Sequence, residues 1–138
     1  MFCNMQTQLE EIVRQFGADS GTIHLLEDGV LTLKAHTGIP PQVVEIIKSV
    51  PVGKGMAGLA VERNEPVSSC NIQTDATGDV RPGAKATGLN GAIVVPIRDS
   101  HGSAHGALGI GVHRPYEYTS EETARLLAQA TNLQVDRT

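Results

Sequence analysis

Apolar residues near both ends of the chain recur at helical spacing. Near the start, they fall at i, i+4, i+7, i+8 and i+11, and these are Met5, Leu9, Ile12, Val13 and Phe16. This spacing places one apolar stripe on a helix, and Gly17 is a typical residue to end it. Near the other end, Thr119 and Glu122 have the spacing of a capping box, which begins a helix. The pattern predicts helices over residues 1–17 and 119–135.

Between these helices, runs rich in β-branched and aliphatic residues predict two hairpins. The first covers residues 21–37 and turns at Asp28-Gly29, a dipeptide typical of a two-residue hairpin turn. The second covers residues 91–113 and turns at a short polar segment that contains a glycine. Because a hairpin pairs its two strands antiparallel, the sequence predicts an antiparallel sheet.

The region between the hairpins predicts shorter elements and one long loop. Short helices are expected over residues 42–48 and 55–62, and a short strand over residues 66–70. Residues 71–90 are polar and contain several glycines, and a loop of this length usually has a function or is disordered. The order predicts a single α+β domain over residues 1–138. Its central antiparallel sheet has the terminal helices on one face, and the short helices, the loop and a pocket on the other.

Composition and charge narrow the possible partners. The formal net charge is −4 and no basic stripe is visible, which argues against nucleic acid and anionic membranes. No apolar run approaches the ~20 residues of a membrane span, and no signal peptide is recognisable, so a cytoplasmic location is expected. Aromatic residues make up 3% of the chain and lie near its ends, which disfavours cofactors that stack on rings. No cofactor and no metal are expected, and Cys3 and Cys70 are expected to be free thiols.

Several stretches of sequence together resemble the GAF domain family. They are residues 53–61, 64–67, 92–97, 106–110 and 119–130. The resemblance covers nearly the whole chain and implies a central antiparallel sheet with a ligand pocket roofed by residues 71–90. It also implies dimerisation through the terminal helices and a regulatory role, because GAF domains usually control an output domain. No output domain is present in this chain, so we expect either a stand-alone member of the family or part of a larger sensor that has an output domain.

Within that family, the sequence is most similar to the free methionine-(R)-sulfoxide reductases. Those enzymes carry a cysteine where this chain has Ala57, and another where this chain has Lys85. A sulfoxide reductase needs a thiolate to attack sulfur and a second thiol to resolve the sulfenic acid. A reductase built on this chain would have to use Cys70. The sequence therefore favours a role without catalysis and leaves a divergent reductase as an alternative.

The polar loop supplies the candidate ligand-binding residues. They lie in or beside the predicted roof of the pocket and are Asn71, Asp75, Asp79, Arg81, Lys85 and Asn90. Arginine and lysine bind carboxylates and phosphates, so the expected ligand is a small polar or anionic metabolite. The expected function is a sensory or regulatory module that binds this ligand and forms a homodimer. For the loop, the alternative is a solvated segment with ordinary surface charges. For the chain as a whole, the alternative is a dimerisation module that binds no ligand.

Two further patterns have simpler explanations than the chemistry they suggest. Gly53, Gly55 and Gly58 match the spacing of a dinucleotide-binding fingerprint, but no buried strand of a βαβ unit precedes them. These glycines are expected to provide tight turns and close contact between a helix and the sheet. His24 and His36 are expected to be neighbours across the first hairpin, with a structural or solvent-facing role.

Overall fold

Six strands and four α-helices make up the part of the chain that the structure describes. The computed structural model describes residues 4–75, 85 and 87–133. In chain order its elements are α1 (Met5–Gln15), β1 (Ser20–Glu27), β2 (Val30–Thr37), α2 (Pro41–Ile47), β3 (Ser49–Pro51), α3 (Gly55–Arg63), β4 (Val67–Ser69), a 3₁₀ turn (Ile72–Thr74), β5 (Gly91–Arg98), β6 (Ala104–Val112) and α4 (Ser120–Thr131). Among the described helices, none combines the length and the apolar character that crossing a membrane requires.

The strands form one antiparallel sheet in the order β3-β2-β1-β6-β5-β4. Both predicted hairpins are present, and their strands β1 and β6 pair at the centre of the sheet. At the first turn Asp28 has φ 52° and Gly29 has φ 81°. Two consecutive left-handed residues are what a type I′ turn requires. The α+β fold with a central antiparallel sheet is therefore confirmed.

The terminal helices α1 and α4 close one face of this sheet. Alternate residues of a strand point to opposite faces, and on this face the central strands carry large aliphatic side chains. With residues from both helices they form one buried cluster, which includes Leu9, Ile12, Ile23, Ile93, Val95, Leu108, Ile110 and Leu126. The predicted positions of the terminal helices on one face are thus confirmed, because their apolar stripes cover the sheet.

The beginning of α4 is fixed by the predicted capping box. The backbone N–H of Glu122 donates to Thr119 Oγ1 at 3.1 Å, and the backbone N–H of Thr119 donates to Glu122 Oε1 at 2.9 Å. Two backbone donors that the helix itself leaves unpaired are satisfied in this way. The helix therefore begins at the residue that the sequence indicated.

Helix α3 lies on the opposite face, close to the sheet. A Cβ atom at Gly58 would lie 2.4 Å from the carbonyl oxygen of Pro51, so only glycine permits this approach. The Gly53 N–H donates to the Gly58 carbonyl at 2.9 Å and closes the turn that leads into the helix. The glycines therefore provide the turn and the close contact expected from the sequence, since β3, which precedes them, pairs antiparallel with β2.

Two local features differ from the sequence predictions. The short strand β3 and the 3₁₀ turn were not predicted, because three residues are too few for a periodic pattern. His24 and His36 are not direct neighbours, since His36 pairs with Thr22 and His24 pairs with Leu33. The hairpin register sets this spacing, because His36 already lies opposite Thr22 before the register shifts between Ile23 and His24.

Candidate functional site

A cavity of about 530 Å³ lies on the sheet face opposite α1 and α4. Its floor is formed by β1, β5 and β6, and its walls by α2, β3 and the beginning of α3. Ile72, Thr87 and Leu89 contribute from the region between β4 and β5. Volumes of this order are typical of pockets that hold small molecules. A cavity is therefore present on the face where the sequence predicted a pocket.

The floor of the cavity is open because the central strands carry small residues on this face. Thr22 of β1 pairs with Gly109 of β6, and both line the cavity together with Ser20. A Cβ atom at Gly109 would lie 3.1 Å from Thr22 Oγ1 and 3.2 Å from Val94 Cγ2. Any larger side chain at position 109 would therefore crowd the floor and occupy space that now belongs to the cavity.

The described walls are mainly aliphatic. Their apolar members are Ile39, Ile46, Ile47, Val50, Pro51, Met56, Ala57, Ile72, Leu89, Ala92, Val94 and Ile110. Among them, Ile46 is 58% exposed, an unusual position for a large aliphatic side chain. The polar side chains in the described lining are those of Ser20, Thr22, His24, Ser49 and Thr87. This surface is suited to covering an apolar molecule and offers it a few hydrogen-bonding groups.

His24 is the one residue with a titratable side chain in the described lining. It lies on β1, is 3% exposed, and places Nε2 2.9 Å from the carbonyl oxygen of Ile47. A carbonyl oxygen only accepts, so Nε2 carries the proton and Nδ1 of the neutral ring is an acceptor. Burial lowers the pKa of His24, and the hydrogen bond to Ile47 opposes this only in part. The ring is therefore neutral near pH 7.

The second ring nitrogen of His24 has an unusual environment. Within the described residues, Nδ1 is buried and has no hydrogen-bond partner. A buried acceptor without a partner costs about 1–3 kcal/mol of folding free energy. The structure tolerates this cost on the strand that forms the floor of the cavity, and the Nε2 bond fixes the orientation of the ring. The protein encloses this acceptor, so Nδ1 is not exposed to the cavity.

The predicted ligand-binding residues that the structure describes lie beside the cavity and do not line it. They are Asn71, Asp75, Lys85 and Asn90. Asp79 and Arg81 lie outside the described residues. The assignment of these six residues to ligand binding therefore stays a prediction.

Hydrogen bonds connect the four described residues to the structure around them. Asn71 Oδ1 accepts from the Gln73 backbone N–H at 3.2 Å and from Asn90 Nδ2 at 3.1 Å. Asp75 Oδ2 accepts from Ser69 Oγ at 2.8 Å, and Asp75 O accepts from Lys85 Nζ at 3.5 Å. These bonds join the end of β4 to the chain before β5. They support the segments that carry Ile72 and Leu89, which do line the cavity.

Cys70, the candidate nucleophile of a divergent reductase, lies outside the described lining. Its side chain is exposed, and its carbonyl oxygen accepts a hydrogen bond from the Tyr116 N–H at 2.9 Å. Ala57, which stands where the reductases have a cysteine, does line the cavity. Cys3 is outside the described residues. In the described structure, no three His, Cys, Asp or Glu residues lie close enough to hold a metal ion.

Sequence reasoning missed His24 as part of the site. The residues Ser20, Thr22 and His24 alternate with Gly21, Ile23 and Leu25 along β1. This alternation is a signal, since it gives one polar and one apolar face. It was not decisive, because a polar strand face is more often exposed to solvent than placed in a cavity.

The fold and the cavity together define an α+β domain with one closed sheet face and one face that bears a pocket. The sequence profile of the GAF domain matches residues 5–133. The chain therefore belongs to the GAF domain family. A search of curated proteins found no significant match.

Solved structures with this fold include regulatory and enzymatic proteins. The GAF domain of an Acinetobacter phosphoenolpyruvate-protein phosphotransferase is 20% identical, with 92% of this chain and 75% of the other aligned at a TM-score of 0.75. The type II free methionine-R-sulfoxide reductase of Thermoplasma acidophilum is 23% identical over 91% and 84%, with a TM-score of 0.74. Staphylococcus aureus NreA, mutated in its nitrate binding site, is 19% identical over 84% and 89%, with a TM-score of 0.70. These similarities establish the shared fold.

Proposed function

We propose that this chain is a regulatory GAF module that binds a small molecule in the cavity between the sheet, α2 and α3. The observation that carries the proposal is the cavity of about 530 Å³, whose floor stays open at Gly109. The described lining contains no thiol, carboxylate or amine side chain that could act as a nucleophile. The polar side chains of this lining are few and its walls are mainly aliphatic, which favours binding over catalysis in our proposal.

The lining also bears on the nature of the ligand. The sequence led us to expect a small polar or anionic metabolite, on the basis of Arg81 and Lys85. The described walls are mainly aliphatic, and each Å² of apolar surface they cover contributes roughly 25 cal/mol to binding. We therefore propose a ligand whose body is apolar and whose polar groups are few.

Ligand binding has a direct structural route to the terminal helices. Thr22 and Gly109 lie in the cavity, while their neighbours Ile23 and Leu108 belong to the cluster under α1 and α4. A shift of the central strands would therefore change how the terminal helices sit on the sheet. In our proposal these helices transmit the signal to a second copy of the chain or to an output domain. Sedimentation velocity with and without a ligand tests the homodimer.

A cavity-filling variant tests the binding proposal. Wild-type protein is screened by thermal shift against aliphatic alcohols, amides, amines and carboxylates, together with free methionine sulfoxide. Stabilising compounds are then tested on Gly109→Val and on Ser68→Val, which adds a similar side chain at an exposed strand position outside the lining. A ligand at a hundred times its dissociation constant adds about 2.7 kcal/mol to the free energy of unfolding. We expect the shift in wild type and Ser68→Val, and its loss in Gly109→Val.

The same screen can contradict the proposal. If no compound stabilises the wild type, or if Gly109→Val responds as the wild type does, the cavity is not the binding site. Should Gly109→Val not fold, Ala57→Leu fills the cavity from the α3 side instead.

Turnover of methionine sulfoxide that disappears in Cys70→Ser would establish the reductase alternative. Dimerisation without any ligand response would favour the interaction module.

A further inference from the structure

We infer that Gln6 couples α1 to the floor of the cavity, because its side-chain amide bonds to the backbone of β2 at the residue that pairs with Thr22. This coupling rests on the proposed function and specifies how an occupied cavity would act on α1. Three features carry it: two hydrogen bonds between Gln6 and His36, the short edge strand β3, and the place of Thr22 in both the first hairpin and the cavity lining.

Gln6 bonds to both backbone groups of one residue of β2. Its Nε2 donates to the His36 carbonyl oxygen at 2.7 Å, and the His36 backbone N–H donates to Gln6 Oε1 at 3.2 Å. A neighbouring antiparallel strand would bond to the same two groups. The amide of a helix residue therefore takes the place of a strand at this point of the sheet edge.

This place is open because β3 is shorter than the strand it pairs with. β3 pairs with residues 30–32 of β2, and the Leu33 N–H donates to the Lys48 carbonyl oxygen at 2.9 Å. Beyond this point, the described sheet has no strand beside the outer edge of β2, which continues to Thr37. Backbone groups on such an edge need a partner, and at His36 that partner is Gln6.

The amide of Gln6 is held in one orientation. Its Nε2 also donates to Glu10 Oε2 at 3.0 Å, about one helical turn further along α1. A flipped amide would set an N–H group against the His36 N–H and an oxygen against the His36 carbonyl. The apolar contacts that Leu9 and Ile12 make with the sheet have no preferred direction. Gln6 therefore adds a directional contact that ties the first turn of α1 to β2.

His36 is in turn connected to the cavity floor. It pairs with Thr22 of β1, and Thr22 pairs on its other side with Gly109 of β6. Thr22 and Gly109 both line the cavity. A molecule that presses on this part of the floor would displace Thr22, the paired His36 and, through its amide, Gln6. The first turn of α1 would then move with the floor.

A substitution that presses on the floor tests the coupling without a ligand. In Gly109→Ala, the added Cβ lies 3.1 Å from Thr22 Oγ1, which is tighter than an ordinary contact. NMR compares the backbone amide resonances of Thr22, His36 and residues 7–12 with and without this substitution, both in wild type and in Gln6→Met. Methionine matches glutamine in length and helix propensity, but it cannot make the two bonds. We expect all three places to respond in wild type, and Gln6→Met to remove only the response of residues 7–12.

Hydrogen exchange of the His36 amide checks the contact itself. The loss of its acceptor in Gln6→Met should speed this exchange about threefold to tenfold, as expected for a hydrogen bond of ordinary net strength. Gln15→Met is the matched control, since it removes the same side chain from the other end of α1, where it bonds to Glu11 and Gln129. It should change neither the exchange of His36 nor the response to Gly109→Ala.

The possible results can overturn the coupling. If residues 7–12 respond to Gly109→Ala in Gln6→Met as they do in wild type, α1 follows the sheet through its apolar contacts and not through Gln6. A response of Thr22 without one of His36 would also overturn it. Should Gly109→Ala not fold, Thr22→Ile presses on the floor from the paired position. No response of residues 7–12 to either substitution would likewise contradict the coupling.

These results are distinct from those that decide the proposed function. A cavity ligand found by the thermal-shift screen, together with an α1 response that ignores Gln6, would leave the proposed function and remove the coupling. A response that depends on Gln6, without any compound that binds, would leave the coupling and remove the proposed function.

Discussion

The two faces of the sheet differ, although the same strands build both. Towards α1 and α4, the central strands carry Ile23, Val95 and Leu108, and these side chains are almost completely buried. Towards α2 and α3, the adjacent positions carry Thr22, Val94 and Gly109, which border a cavity. Strand periodicity assigns alternate residues to opposite faces, so the chain can vary one face while it preserves the other. The closed face provides stability, and we propose that the open face provides binding.

The largest expected difference between the faces is in their response to truncation. Leu108→Ala removes a fully buried side chain at 0% exposure. It should lower the free energy of unfolding by about 2–5 kcal/mol, because a void replaces the lost contacts. Val94→Ala removes a partly exposed side chain beside the cavity and should cost distinctly less. Urea unfolding of both variants measures the difference, and equal losses would contradict the division between a closed and an open face.

The next expected effect is a pH dependence that originates on the open face. Burial lowers the pKa of His24, so as the pH falls the unfolded chain takes up this proton before the folded chain does. The contribution of His24 to stability is therefore complete above about pH 6.5 and is lost as the pH falls through the lower, folded-state pKa. Thermal melting from pH 8 to pH 5 should show a steeper decline for wild type than for His24→Gln. Parallel curves would mean that His24 does not titrate differently on folding.

A smaller loss of stability is expected at the beginning of α4, one of the two helices that cover the closed face. Thr119→Ala removes the side-chain half of the α4 capping box and should lower the free energy of unfolding by about 1 kcal/mol. Ser120→Ala is the matched control, since it changes the adjacent exposed residue and leaves the box intact. If the two variants unfold at the same urea concentration, the capping box does not stabilise α4.

The smallest effect is expected at the outer surface of α2. Lys48 Nζ lies 2.8 Å from Glu45 Oε2, and both side chains are largely exposed. Exposed ion pairs of this kind add little to stability and are screened by salt. Lys48→Ala should therefore leave the melting temperature unchanged within error. A clear fall in the melting temperature would mean that the Lys48–Glu45 pair stabilises the fold.

The sequence predicted most of the fold because most of it depends on local patterns. The spacing from Met5 to Phe16, the Asp28-Gly29 turn and the Thr119 to Glu122 capping box each lie within a few residues. Such patterns fix helices and hairpins with little help from the rest of the chain. The short strand β3 was missed, because it exists only through its pairing with β2.

Local sequence patterns predicted the candidate site less completely than they predicted the fold. The sequence indicated that residues 71–90 lie over a pocket, and Ile72 and Leu89 from this region do line the cavity. Asn71 and Asp75, which were chosen for their polar chemistry, hydrogen-bond to nearby residues of the same chain, and their role in ligand binding stays a prediction. Polarity alone does not separate the two roles, because a polar side chain can hydrogen-bond to the backbone of a loop as readily as to a ligand.

By itself, the sequence determined which residues alternate along each strand and where the last helix begins, although it predicted that helix to extend beyond its observed end at Thr131. Only the tertiary structure decided which sheet face is filled and which is open, since that depends on where α1, α4, α2 and α3 are placed. The role of His24 is the clearest case, because its environment combines a strand, the distant carbonyl of Ile47 and a register shift in the hairpin. A cavity is the space between segments that are far apart in sequence, so no local pattern can specify it.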